Sequence, residues 1–373
     1  MKILQLGKFY PIRGGVEKVM YDLLLGLSEA GVHCDMLCAS TEDYPADTIQ
    51  INPNGKLIVV PTQIKLAATM LAPAMITTLR KIAKEYDIIH IHHPDPMATL
   101  ALFLSGYKGK VVLHWHSDIL KQKNLLKVYK PLQSWLIKRA QLIVGTTPVY
   151  VHESDFLQHV QYKIDHIPIG VLPIQSNTDQ VQILKERYKN KKMIFSLGRL
   201  VEYKGYEYLI KAAQELSPDY QIVIGGKGPL MESLNQLIID LGVQDRVTLL
   251  GFVSDEDVAN YFEASDAFCL SSIMKTEAFA IVQIEAMSCG KPIISAHIPG
   301  SGVSWVNQDQ QSGLVVDSCD AHALAVAIKQ LFTDKSLYQT LSEGSRQRFE
   351  QYFTRKAMVE KSLQLYKKIL EIN

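Results

Sequence analysis

Short apolar runs alternate with amphipathic stretches along the whole chain, and this restricts the fold more than any single motif. Met1–Leu6, Val32–Ala39, Leu57–Val60, Asp87–His92, Lys110–His114 and Leu142–Gly145 have the length and content of buried strands. Helical patterns lie between them at Lys18–Ala30, Met75–Glu85, Pro96–Ser105 and Leu125–Arg139. The pattern restarts with strands at Met193–Gly198, Gln221–Ile224, Val247–Leu250, Ala267–Leu270, Ile293-Ile294 and Gly313–Val316. Its helices are expected at Tyr206–Leu216, Met231–Leu241, Asp255–Ala264, Ala321–Phe332, Ser336–Tyr352 and Arg355–Ile372. Such alternation predicts α/β architecture with open parallel sheets covered on both faces, which bind ligands at the carboxyl ends of their strands.

A length of 373 residues suits two domains. We expect two Rossmann-like, doubly wound domains, residues 1–172 and 173–352, facing across a cleft, with a polar linker at Ser176–Gln180. Residues 353–373 form a last helix expected to cross back onto the first half. A net charge of +1 makes nucleic acid a poor partner. Nothing reads as a membrane span or signal peptide, and most of the five scattered cysteines read as small buried residues in a reducing cytoplasm.

Candidate chemistry falls at strand ends. Glu277 and Glu285 stand eight positions apart around an apolar run, one in a loop and one inside the helix that follows. A helix start gathers unpaired amides that suit a phosphate, and carboxylates suit sugar and ribose hydroxyls. Two solvated glutamates on a surface helix are the plainer alternative. Arg199 and Lys204 flank a loop directly after a strand, where two cations suit a diphosphate. Gly14-Gly15 and Gly225–Pro229 are turns that let backbone approach an anion. His90, His92, His93, His114 and His116 cluster at two strand ends. A metal is one reading of them; a hydrogen bond from His116 to a sugar is preferred, with no metal.

In order along nearly the whole chain, six pieces resemble the motif set of retaining GT-B glycosyltransferases of family 4, also called glycosyl transferases group 1. They are Gly14-Gly15, His116, Gly198-Arg199 with Lys204-Gly205, the loop Gly225–Pro229, Gly251-Phe252, and Glu277 with Glu285. The resemblance implies a metal-independent hexosyltransferase without a cofactor, whose donor is a nucleotide-diphosphate sugar. His116, Arg199, Lys204 and Glu277 would be catalytic: the cations neutralise the leaving diphosphate, and His116 and Glu277 contact the donor sugar. Gly14, Gly15, Gly198, Gly226, Phe252, Ala278, Phe279, Ala280, Ile281 and Glu285 would bind the nucleotide sugar, Glu285 through the ribose. Ala280 departs from the family's usual glycine, and its methyl group narrows the expected sugar pocket.

GDP-mannose is the preferred donor, with UDP-sugars open. The expected acceptor is a saccharide or lipid-linked saccharide in surface polysaccharide or glycolipid synthesis. Lys121, Lys123, Lys127, Lys130, Lys138 and Arg139 interleave with apolar residues over residues 121–139. Such a helix can dock on an anionic inner leaflet or pack against the core with a solvated basic face. A GT-B sugar-nucleotide epimerase and a non-catalytic sugar-nucleotide-binding protein are the competing readings.

Overall fold

The computed structural model describes residues 1–41, 44–66, 69–119 and 123–371. Its first elements are β1 (Lys2–Tyr10), α1 (Gly15–Glu29), β2 (His33–Ser40), β3 (Asp47–Asn52), β4 (Gly55–Val60), β5 (Ile64–Leu66), β6 (Thr69–Leu71), α2 (Ala74–Ile82), β7 (Ile88–His93), α3 (Pro96–Ser105), β8 (Lys110–Trp115), α4 (Lys123–Arg139), β9 (Leu142–Gly145), α5 (Pro148–His152) and β10 (Ile164–His166). Then come α6 (Thr178–Arg187), β11 (Lys192–Leu197), α7 (Tyr206–Ala212), β12 (Tyr220–Gly225), α8 (Met231–Asp240), β13 (Val247–Gly251), α9 (Asp255–Ala264), β14 (Ala267–Leu270), α10 (Ile281–Ser288), β15 (Ile293–His297), α11 (Val303–Val306), β16 (Gly313–Asp317), α12 (Ala321–Thr333), α13 (Lys335–Arg348) and α14 (Arg355–Leu370).

The chain divides into two compact units, one of residues 1–170 with the chain from Arg355 onward, the other Val171–Thr354. Each is a Rossmann-like parallel sheet. In the first, the strand order is β10-β9-β8-β7-β1-β2-β4-β3, parallel throughout except for β3 against β4. The direction of winding reverses between β1 and β7. In the second, the order is β13-β12-β11-β14-β15-β16, all parallel, reversing between β11 and β14. In such sheets the crevice at the carboxyl ends of the two reversing strands is where ligands bind.

The strands read as continuous apolar runs because both faces are covered. β12 is buried at every position, packed in a core with Leu209, Ile238, Ile328 and Leu331. Helix α14 belongs to the first unit. Gly26 of α1 lets it approach, since a Cβ there would sit 2.4 Å from Val359, and Arg355 pairs with Glu29 at 2.6 Å.

Two expectations are corrected, and the edge strand β3 was not anticipated. The polar segment read as a linker contains the start of α6, which Asn177 caps through Asp179 and Gln180 amides. β3 escaped the sequence reading because it is a largely exposed antiparallel edge with little apolar content. The expected helix 206–216 is α7 followed by a short tighter turn, Ala213–Glu215. Lys121 and Ile372 lie outside the described residues.

Candidate functional site at the reversing strands

In the second unit, the loop after β11 and the loop after β14 are bonded to each other. Lys204 Nζ lies 2.5 Å from Glu277 Oε2, with both side chains only about a tenth exposed (10% and 11%). Ser272 donates its hydroxyl to the same carboxylate oxygen at 2.9 Å. Ser271 donates to the Lys204 carbonyl at 2.9 Å, and the Ile273 amide to the Tyr203 carbonyl at 2.8 Å. Gly198 lies against this cation, for a Cβ there would be 3.2 Å from Lys204 Nζ. Gly226, after β12, packs on Gly198 so closely that a Cβ would fall 1.8 Å from its carbonyl oxygen. Lys204, Glu277, Gly198 and Gly226 are thus brought together. Arg199 is exposed beside them, and no described residue pairs with it.

Glu277 precedes α10 and Glu285 lies half-buried in its second turn. The helix starts at Ile281 and no side chain caps it; the Gln283 amide donates to the Ala280 carbonyl at 2.9 Å, which leaves the Ile281 and Val282 amides for a ligand. Ala280 holds φ 60° and ψ 81° at that junction. This left-handed geometry explains why a glycine is the usual occupant: a Cβ there costs about 1–2 kcal/mol. Ser301 donates its hydroxyl to the Glu277 carbonyl, and the Gly302 amide donates to the Ala278 carbonyl at 3.0 Å. Phe279 turns inward, with its ring edge-on to Phe353. Only its backbone can serve the nucleotide-sugar role the resemblance implied. Phe252 is 69% exposed, with Lys227 Nζ 4.9 Å over its ring.

In the first unit the histidines form one buried stack. Register places His92 beside His114, with His90 and His116 two residues away on the same sheet face. Ring centroids are 4.0 Å apart for His114–His116 and 4.7–5.2 Å for the neighbouring pairs, all near parallel. His92 Nδ1 is 2.8 Å from His116 Nε2, and His92 Nε2 is 2.8 Å from Gln5 Oε1. Tyr366 of α14 closes the other end, its hydroxyl 2.5 Å from His90 Nδ1. His93 points to the opposite face, stacked on Trp115 at 3.8 Å. His90 therefore lies inside its strand, whereas His92, His93, His114 and His116 lie at the carboxyl ends of β7 and β8.

Nitrogens of His90, His92 and His114 lie within 4.8 Å of one another, the separation of a ligand set. A metal needs in-plane lone pairs converging at about 2.0–2.1 Å. Here His90 and His114 lie face to face at 8°, and both nitrogens of His92 are hydrogen-bonded. The arrangement is a stack and not a coordination sphere. Burial lowers the pKa of all five imidazoles, that of His114 to about 3.

Gly14 and Gly15 are exposed at the start of α1. Glu17 folds back there: a Cβ on Gly14 would meet its carboxylate at 2.6 Å. The anion seat expected at Gly15 thus has a carboxylate of the chain itself beside it. Sequence reasoning also missed Gln5, Ser272 and Ser301. A lone glutamine inside the apolar first strand was the available signal for Gln5.

On α4, Tyr129, Gln133, Leu136 and Ile137 are buried while Lys127, Lys130 and Lys138 are exposed. Arg139 is not a free surface cation, because it donates to the carbonyls of Tyr107 at 3.0 Å and Gly109 at 2.6 Å. Among the described residues no helix is long and apolar enough to cross a membrane.

Two reversing sheets, with charged and amide groups at the carboxyl ends of one, define a ligand-binding α/β protein of two Rossmann-like units. Residues 13–172 match the family model described as Glycosyltransferase Family 4, and residues 179–348 match Glycosyl transferases group 1. The chain is 30% identical to the O-antigen chain mannosyltransferase C of Escherichia coli, over 100% of this chain and 99% of that one. It is 31% identical to the D-rhamnosyltransferase WbpZ of Pseudomonas aeruginosa, over 95% and 92%. Among solved structures, sucrose-phosphate synthase from Thermosynechococcus elongatus superposes with a TM-score of 0.78 at 22% identity, covering 100% of each chain. Anabaena HepE in complex with UDP gives 0.77 at 20%, covering 99% of this chain and 100% of that one. The chain belongs to the family 4, group 1 glycosyltransferases, and it is a glycosyltransferase.

Two outcomes follow from this geometry. Unfolded imidazoles gain protons near pH 6.5, which the buried ones resist, so their stabilisation is complete above pH 6.5 and lost as pH falls, toward about 3 for His114. Each contributes up to about 1.4 kcal/mol per pH unit. Asp95, Glu17 and Asp22, whose pKa values burial raises, oppose this in the lower carboxylate range. The Tm should fall between pH 7 and pH 5.5, and a flat Tm there would refute the neutral stack. Separately, Ala280→Gly should raise stability by about 0.5–1 kcal/mol, the left-handed relief less the added chain entropy. An unchanged urea midpoint at constant slope counts against strain at Ala280.

Proposed function

We propose that the chain is a retaining GT-B hexosyltransferase that works without a bound metal. It moves mannose from GDP-mannose to a saccharide or lipid-linked acceptor in cell-surface polysaccharide or lipopolysaccharide synthesis. The supporting observation is the set at β11 and β14: unpartnered Arg199, Lys204 fixed by Glu277, and the α10 start that no side chain caps. Breaking a sugar–phosphate bond leaves negative charge on the diphosphate. Two cations and a helix N-terminus fixed beforehand stabilise that charge without reorganising. They occupy the role a divalent ion plays elsewhere. Glu277 and Glu285 hold hydroxyls on this reading, so neither is a nucleophile, and a diphosphate oxygen deprotonates the acceptor on the face it leaves. His116 is the residue this reading gives to the donor sugar's hydroxyls.

The mannosyl- and rhamnosyltransferase relatives favour a mannose-type sugar, and a GDP-mannose-dependent mannosyltransferase of Mycolicibacterium smegmatis, 30% identical over 46% of this chain, favours the GDP-linked form. The UDP and UDP-glucose complexes of a fold neighbour keep UDP-sugars as the second reading. A thermal-shift screen of GDP, UDP, ADP and their sugars discriminates, because a ligand that binds the native state raises Tm. GDP-mannose should give the largest rise, and turnover should survive EDTA. Arg199 is the cleaner test of the cation role, because removing Lys204 would also strand a buried carboxylate. Arg199→Ala should lower kcat/KM about 100-fold at unchanged Tm. Full activity in that variant removes Arg199 from the site.

We also propose that residues 121–139 contact an anionic membrane. Exposed Lys127, Lys130 and Lys138 lie on the same helix as Val128, which is 82% exposed. Neighbouring α3 exposes Leu100, Phe103 and Leu104. The protein should sediment with anionic vesicles and be released by salt. Equal recovery with neutral vesicles would eliminate the electrostatic form.

A further inference from the structure

We propose that Gln5 and His92 are positioning residues that lock His116 in a single tautomer, with Nδ1 bare and able only to accept a hydrogen bond from a substrate hydroxyl. This rests on the reading that His116 meets the sugar. The order of donors follows from one fixed group. Gln5 turns its amide nitrogen toward Cys34 Sγ at 3.8 Å, which leaves its carbonyl oxygen 2.8 Å from His92 Nε2. An amide oxygen only accepts, so His92 Nε2 carries the proton. In a neutral ring Nδ1 is then bare. It lies 2.8 Å from His116 Nε2, so that nitrogen must donate. His116 is neutral as well, and its Nδ1 keeps a lone pair.

Neutrality is built into the seam. Neither His92 nor His116 is paired with a carboxylate, and the nearby charge of Lys8 disfavours imidazolium, as burial does. No described residue engages His116 Nδ1, and it is not among the enclosed, unpartnered polar atoms of the protein. Stacking on His114 at 4.0 Å and 10° holds the ring plane. Position, plane and protonation of His116 are therefore set by three side chains on three adjacent strands, β1, β7 and β8. A group of this kind selects for a free hydroxyl at the sugar position it meets.

The test is long-range proton–nitrogen NMR of the full chain carrying nitrogen-15 histidine, near pH 7.5, together with steady-state kinetics. In the native protein His116 should be the Nε2–H tautomer. His92→Phe keeps an aromatic ring in the stack and removes the acceptor; Gln5→Met replaces the whole carboxamide, its oxygen toward His92 and its NH2 toward Cys34, with an apolar thioether of similar length. Both should give mixed His116 tautomers and lower kcat about tenfold, while the nucleotide-induced thermal shift is retained. A His116 Nδ1–H signal in the native protein overturns the proposal, and so does tautomer mixing without loss of kcat. If His92→Phe does not fold, the native spectrum and Gln5→Met still decide. Full activity of His116→Ala with the native tautomer as assigned would instead overturn the substrate contact, leaving the hydrogen-bond order intact.

Discussion

A lysine ammonium and a glutamate carboxylate, nearly removed from water, can persist only if each has the other. Lys204 and Glu277 come from loops that follow adjacent strands, β11 and β14, at the point where the sheet reverses. Desolvating either ion alone costs several kcal/mol, so the two loops cannot separate without exposing or stranding a charge. Hydrogen bonds from Ser271 and Ser272 tighten the same seam. The loop after β12 joins the same seam, since Gly226 packs on Gly198 and Gly198 lies against Lys204. The carboxyl ends of three neighbouring strands thus meet around one ion pair.

The first unit reverses its sheet in the same way, and there the buried Asp95 carboxylate after β7 takes the Lys8 amide of β1, with the Lys8 charge nearby. Its buried stack is built of imidazoles and an amide, and burial keeps the imidazoles neutral. Gln5, His92 and His116 satisfy each other in sequence, and Tyr366 seals the far end from a helix 276 residues away in the chain. His114 contributes both ring nitrogens without a partner. Each orphaned polar atom costs about 1–3 kcal/mol, so stacking and the surrounding core must offset an internal penalty. The stack is a place where stability has been given up for a defined arrangement of rings.

Much of this was legible in the sequence, for reasons particular residues make clear. Strands buried on both faces announce themselves as apolar runs, and the reversing topology follows from their alternation with helices. β3 was not legible, because an exposed edge strand has no apolar signature. The start of α6 was misread as linker although Asn177 is a good cap, since caps and turns use the same residue types. Lys204 and Glu277 were each identifiable, but 73 positions of chain hide the fact that they touch. Side-chain direction was the other blind spot: nothing in the letters distinguishes an outward Phe279 from one packed on Phe353, or a solvated Arg139 from one holding two carbonyls.

Ala280 ties these levels together. The residue holds a backbone conformation that disfavours a Cβ, at the start of the helix whose first amides face no side-chain cap. With the carbonyls of Glu277 and Ala278 committed to Ser301 and Gly302, the segment entering α10 cannot rotate to relieve that strain. Relief by a different backbone path would also pull Glu277 from Lys204. The strained junction is therefore maintained by the ion pair and the two carbonyl contacts acting together, and the direction of the α10 amides is fixed by the same restraints that fix the cation beside them.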